Sequence, residues 1–290
     1  MRSQSFFAAS LALSLSALLL AACEFRSHRA AWRLDTKVTY KVRYSAELRA
    51  KAEGSWGSSP YVSSARAEFS AQASGDTAKG QMELSLGVDT LEYRSPERGP
   101  EEDRYMTGRL RKYKAKLSLS RTGQVLSMEE EPGMPPVAFS PLNFGRFLAY
   151  ALPAFPDAPV KKGSHWEVVQ PLLDKFHPDS KVIKRYTLSA IRETPDGDLA
   201  TCLVDLDAYL DEDLGDGAPA PATAGSPEVK PTWSGTGRVI FNLAKGRPVS
   251  AELEMEGRFT IRLPPKSGDS TQPAAEPMHM QEKLEIHFTD

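Results

Sequence analysis

From Val38 onward the chain alternates apolar and polar residues with period two over most of its length. Val38, Tyr40, Val42, Tyr44, Ala46 and Leu48 are interleaved with Thr39, Lys41, Arg43, Ser45, Glu47 and Arg49. The same rhythm runs through residues 65–73, 82–88, 113–119, 182–191 and 199–210, and through 249–263 and 284–288. Successive side chains of a strand point to opposite faces, so this pattern means strands with one dry face and one wet face. Such strands belong to antiparallel sheet, because parallel sheet is covered on both sides. Gly123, the Pro195-Asp196-Gly197 run and the Lys245-Gly246 pair supply turns between runs. About ten strands, several of them long, exceed an immunoglobulin-type sandwich of short strands. The expected fold is therefore mainly β: a curved antiparallel meander, a half-barrel or open barrel, rolled over its own apolar side.

One helix is expected in mid-chain, at about 142–152. There Phe144, Phe147, Leu148, Ala151 and Leu152 recur at helical spacing after Ser140-Pro141. Residues 215–231 and 264–277 are rich in Pro, Ala, Gly and Ser and are expected to be flexible loops. One helix cannot cover so many strands. The rest of the dry face must be covered by the sheet itself, by loops or by an apolar ligand. The clearest stretch of that face is Leu253, Met255, Phe259 and Ile261, which makes these residues the candidate apolar ligand face.

The chain has 290 residues with 36 Lys+Arg against 38 Asp+Glu, a formal net charge of -2. That balance argues against a nucleic-acid binder, which needs clustered excess positive charge. The N-terminus carries Arg2, then an apolar run from Phe6 to Leu20 that is too short for a stable membrane span and suits a secretory signal. The run ends Leu20-Ala21-Ala22-Cys23, which resembles the bacterial lipoprotein signal. The resemblance implies cleavage between Ala22 and Cys23, with residues 1–22 as the signal peptide and Cys23 as the lipidated first residue of the mature chain. The thiol is the nucleophile that takes the lipid, and several acyl chains, each CH2 contributing about 0.8 kcal/mol, hold the protein to the membrane. The same resemblance implies a place in the cell envelope. With Glu24 rather than Asp after the cysteine, it points to the outer membrane where the organism has two. Residues 23–33 are read as a lipidated tether. Its Arg26, Arg29 and Arg33 either meet anionic headgroups or stay solvated, and its Trp32 is placed at the membrane interface. Residues 34–290 are the β-rich domain.

Chemistry-bearing motifs are scarce. His28, His165, His177, His279 and His287 have no spacing that puts two ligands on one helix face. There is no Gly-x-Ser-x-Gly elbow and no phosphate-binding glycine loop before a helix. The acidic run from Asp205 to Gly217 fails the calcium-loop pattern, with Gly215 and Ala222 where ligands should stand, and reads as a solvated strand end. No catalytic residue, metal site or cofactor is assigned. Cys202 lies in the alternating set Ala200, Cys202, Val204, Leu206 and reads as a small buried hydrophobe. Trp166 reads as a strand-start aromatic closing one end of the core.

The segment Gly123-Gln-Val-Leu126-Ser127-Met-Glu129 is echoed by Gly246-Arg-Pro-Val249-Ser250-Ala-Glu252. The echo admits either two related halves around the mid-chain helix or two similar hairpins. Leu152-Pro153 through Pro159-Val160, then Gly163-Ser164-His165-Trp166, together with Thr122-Gly123-Gln124-Val125, resembles a group of uncharacterised β-rich bacterial lipoproteins. More remotely, curved sheet plus helix plus lipid anchor is similar to half-barrel lipoprotein carriers of bacterial envelopes. These resemblances imply a non-enzymatic, membrane-anchored envelope lipoprotein that binds an apolar ligand or a protein partner on the concave sheet face. The alternatives are a structural or interaction protein of the envelope with a closed core, and an enzyme of unknown class.

Overall fold

The computed structural model describes residues 27–52, 61–76, 80–95, 99–130, 150–171, 180–209, 233–262 and 275–289. Strands β1 (Thr39–Ala52), β2 (Tyr61–Asp76), β3 (Gln81–Arg94), β4 (Lys114–Ser120) and β5 (Val125–Glu130) lie side by side in chain order. Strands β6 (His165–Pro171), β7 (Lys181–Arg192), β8 (Leu199–Tyr209), β9 (Trp233–Asn242), β10 (Arg247–Arg262) and β11 (Ala275–Thr289) do the same, and β11 pairs with β1. The result is one 11-stranded sheet with the first and last strands at its middle. Its edges, β5 and β6, approach each other. The expected antiparallel meander is thus a nearly closed barrel, and the inward side chains of all strands form one core.

The strand count has a consequence. Every pairing in the sheet is antiparallel. Eleven strands that reverse at each step leave β5 and β6 running the same way. Parallel neighbours cannot be joined by a hairpin. The chain must return from the far end of β5 to the near end of β6; of the connecting residues, 150–164 are described. Residues 150–155 are buried, Pro156 is half-buried and 157–159 are exposed. The Phe155 N–H donates to Thr122 O at 2.8 Å on the β4–β5 side. The Trp166 indole donates to Ala154 O at 2.7 Å on the β6 side.

The two ends of the barrel differ. Where β1 begins, the hairpins β4–β5, β7–β8 and β9–β10 turn tightly at Gly123 (φ 90), Gly197 (φ 112) and Gly246 (φ 64), as their sequences predict. At the opposite end the connections are longer, including residues 95–113 and 210–232. A strap lies across the tight-turn end. His28 and Val160 exchange backbone hydrogen bonds at 2.7 and 2.8 Å. Trp32 N–H donates to Arg121 O at 3.0 Å, Arg33 N–H to Gly246 O at 2.6 Å, and the Trp32 indole to Pro153 O at 3.0 Å. Trp32 is therefore a buried plug and not an interfacial residue, with its ring edge-on to Phe241 at 5.7 Å. From His28 onward the segment read as tether is built into the barrel.

Both glycines of the sequence echo lie under this strap. A Cβ on Gly123 would stand 1.9 Å from Trp32 Nε1, and one on Gly246 2.6 Å from Arg33 N. Both hairpins also carry a bulge at the equivalent position: the register slips past Leu126 in β5 and past Val249 in β10. The echo spells a bulged hairpin that leaves room for a crossing chain.

Other expectations change. Residues 142–149 of the mid-chain helix lie outside the described residues, while Tyr150 and Ala151 close a helical turn and are buried. The described helix is α1 (Pro100–Leu110), between β3 and β4. It starts with Pro in its first turn after Gly99, and Asp103 Oδ1 accepts from Ser95 N–H at 2.9 Å. Among its described side chains Leu110 is buried, Met106 and Asp103 are half-buried, and Glu101, Arg104 and Arg109 are exposed. No apolar stripe announces such a helix. The loop expected at 264–277 ends earlier, because β11 already pairs from Ala275 with Arg262. Residues 215–231 and 264–274 lie outside the described residues.

Gly123→Ala is expected to cost about 3 kcal/mol or more in urea unfolding, combining a left-handed backbone with a collision against the strap. Gly80 has φ +63 and nothing within 4 Å of an added Cβ. Gly80→Ala should therefore cost only about 1–2 kcal/mol. Equal losses in the two variants would show that the strap is not held there.

Candidate functional site

The barrel wall is charged outside and apolar inside. Arg185 bridges Glu167 at 3.0 Å and Asp207 at 2.6 Å, Arg238 pairs with Glu252 at 2.9 Å, and Lys283 with Glu254 at 2.9 Å. These pairs are solvent-exposed, so each contributes about 0–1 kcal/mol, but together they keep the outer face wet. A membrane-spanning barrel has the opposite pattern, with an apolar band outside. Asp205 and Asp207, the start of the acidic run, stand on this wall, and residues 210–217 lie outside the described residues. A shallow outer groove of about 630 Å³ crosses β7–β11, lined by Arg185, Asp207, Ser234, Glu254, Gln281 and Lys283.

The tight-turn half of the interior is aromatic. Phe155 meets Phe241 at 4.7 Å and Trp166 at 5.7 Å, and Trp166 stacks on Tyr186 at 5.2 Å. Each such pair adds about 0.5–1.5 kcal/mol beyond its buried area. Trp166 closes one end of the core, as its sequence position suggests. Cys202 is fully buried in the same core, and burial pushes its thiol up to about 12, so it behaves as the small hydrophobe it was read to be.

The other half of the interior holds the candidate ligand face. Leu253 and Met255 are each 2% exposed and point inward from β10. They lie over Gly237 and Gly235 of β9. A Cβ at Gly237 would stand 2.4 Å from Leu253 Cδ2, and one at Gly235 2.6 Å from Met255 Cγ. Phe259 and Ile261 continue β10 opposite Met278 and Glu276, and their side chains lie outside the described residues. Cys23 and Ala22 also lie outside them.

Sequence reading missed two charged residues in this half. The inward rung through Met255 runs Val168, Lys184, Leu206, Gly235, Met255, Glu282, Leu48, Ser63 across seven neighbouring pairings. Lys184 and Glu282 are both buried, at 0% and 1% exposure. Lys184 Nζ donates to Leu152 O at 2.9 Å, tying β7 to the returning segment. Burial draws its ammonium down to about 7. The signal was present: Lys184 shares parity with Val182, Tyr186 and Leu188, the inward side of its strand. Among the described residues no group of three or more His, Cys, Asp or Glu is placed to hold a metal ion. Among the described residues the interior offers apolar burial with an amine, Lys184, and a carboxyl, Glu282, on a single rung.

The Lys184 shift has a definite sign. Between about 7 and the ordinary lysine value of 10.5 the unfolded chain binds more protons than the folded one. Stability therefore rises with pH through that window and is lowest below it, by at most about 1.4 kcal/mol per pH unit. The difference in unfolding free energy between the natural protein and Lys184→Met should grow in favour of the natural protein from pH 7 to 9. A flat difference would mean that Lys184 is not buried as an amine.

No family model and no curated protein sequence matches the chain. Among solved structures it is similar to lipovitellin, in a structure described for its lipid–protein interactions. The match has 11% identity and a TM-score of 0.35, and covers 88% of this chain and 26% of that one. The chain thus spans about a quarter of the length of that protein. It is also similar to a DUF1329 family protein from Desulfovibrio piger, with 8% identity and a TM-score of 0.21, covering 88% of this chain and 86% of the other. At these scores neither likeness bears on what the chain binds.

Proposed function

We propose that the protein is a lipid-anchored, non-enzymatic barrel of the bacterial envelope that acts by binding. The observation that carries this reading is the barrel's polarity: a charged outer wall around an apolar interior, strapped shut at the end from which the N-terminus leaves. The lipoprotein-like Leu20-Ala21-Ala22-Cys23 supports the anchor. The outer wall supports a domain standing in water beside the membrane rather than in it.

Two modes of binding remain within this reading. In the first, the core is closed and the barrel presents its surfaces to envelope partners. The burial of Leu253 and Met255 over Gly237 and Gly235 favours this mode, because an open ligand chamber would leave such side chains accessible. In the second, an apolar ligand enters from the long-connection end and displaces part of that packing. Its motivation is the strand number, which exceeds the eight that side chains alone can fill, and the small inward residues of β2: Ala65, Ala67, Ala71 and Ala73.

Ala67→Phe separates the two. With a closed core the added ring is expected to cost about 1–3 kcal/mol, and N-phenyl-1-naphthylamine should show no saturable fluorescence gain with either protein. With a ligand chamber the natural protein binds the dye saturably, and the variant loses binding while keeping its stability. The anchor is read separately. Protein purified from its bacterial host should have an intact mass beginning at Cys23 plus a lipid adduct, and Cys23→Ala should move it out of the membrane fraction. An unmodified chain that begins elsewhere would end the anchored reading.

A further inference from the structure

The strapped end is not neutral. Arg29 and Arg33 of the strap, Arg121 of the β4–β5 turn, Lys161 and Lys162 after the returning segment, and Lys245 of the β9–β10 turn are all exposed. The backbone brings these separate stretches to one place. Trp32 is bonded to Arg121, Arg33 to Gly246, and His28 to Val160. Acids share the surface: Asp157 lies 3.6 Å from Arg121, Asp196 3.9 Å from Lys245, and Asp198 3.9 Å from His28. Asp35 and Glu193 are exposed close in sequence to the exposed bases Lys37 and Arg192, and β2 ends at Asp76 on this side. Among the described residues bases therefore outnumber acids on this end, in a chain whose formal net charge is -2.

The described chain begins at this same end, where His28 pairs with Val160. From Cys23 to His28 the chain can stretch at most about 18 Å. The 14 residues of β1 rise about 46 Å. A lipid on Cys23 therefore holds the strapped end near the bilayer, and the long-connection end faces away. We propose that the strapped end is a basic footing that docks on anionic phospholipid, with the barrel standing upright on the membrane. The occupant is argued from charge complementarity and from where the tether leaves the fold, and its setting rests on the anchored reading above.

The test uses the mature chain, residues 23–290, with Cys23→Ser, which keeps every described element and carries no lipid. It should co-sediment with vesicles of phosphatidylcholine plus phosphatidylglycerol, not with phosphatidylcholine alone, and high salt should release it. Each base near an anionic surface is worth roughly a fivefold change in binding, so Lys161→Glu, Lys162→Glu and Lys245→Glu together should weaken it at least about a hundredfold. Reversing Arg43, Lys114 and Lys116 on the outer wall changes the net charge equally and should have little effect. Equal binding to both vesicles, or equal losses from end and wall reversals, overturns the footing. Neither result depends on lipidation, which the intact mass at Cys23 decides by itself.

Discussion

Eleven strands that alternate in direction cannot close with antiparallel pairings throughout. That parity constraint shapes the rest of the molecule. It leaves β5 and β6 parallel and forbids a hairpin between them, so the chain has to return to the start of β6, which the described residues 150–164 reach. The returning backbone brings polar groups into an apolar interior, where each unpaired one would cost about 1–3 kcal/mol. The described part meets that cost with named partners. Lys184 takes Leu152 O, the Trp32 indole takes Pro153 O, and the Trp166 indole takes Ala154 O. Two tryptophans and a lysine are thus in the core because a chain has to cross there.

The strap follows from the same crossing. Pro153 O needs a donor at the barrel's end, and Trp32 can supply one only if residues 28–33 lie over the β4–β5 and β9–β10 turns. Those turns can pass beneath the strap only as glycine. This links an N-terminal tryptophan to two glycines more than a hundred residues apart in the chain. The repeated bulges at Leu126 and Val249 splay the two hairpins under the same strap.

Much of this was legible in the sequence, and the boundary is physical. Period-two alternation fixes which residues face inward, so Leu253, Met255 and Cys202 were placed correctly. Gly123, Gly197 and Gly246 announced their turns because turn chemistry is local. What could not be read was set by contacts far apart in sequence. Trp32 has no periodic neighbours to mark it as core, since its partners are Pro153 and Phe241. Lys184 obeys the inward parity of its strand, but a charge at such a position reads as an error until Leu152 O is seen beside it. Helix α1 is polar over most of its surface and gives no period to detect. The parity of the strand count was also hidden, because β6 is short and only Trp166 at its start marks it as a strand.

The inward polar residues bear on how rigid the core is. An apolar barrel lined by alanine and leucine could slide by two residues at a strand pair with little change in burial. Lys184 makes such a slip of β7 costly, because moving it would break its bond to Leu152 O and leave a buried amine without that acceptor. The aromatic cluster fixes one end by shape, and the Lys184–Leu152 bond ties the other half to the returning segment. The strap joins the two systems: the Trp32 ring lies edge-on to Phe241 of the aromatic cluster, and its indole donates to Pro153 O, next in the chain to the Leu152 carbonyl that Lys184 takes. The element that closes this end of the core is held by backbone hydrogen bonds to three separate parts of the chain, at Arg121, Val160 and Gly246, rather than by side-chain contacts alone.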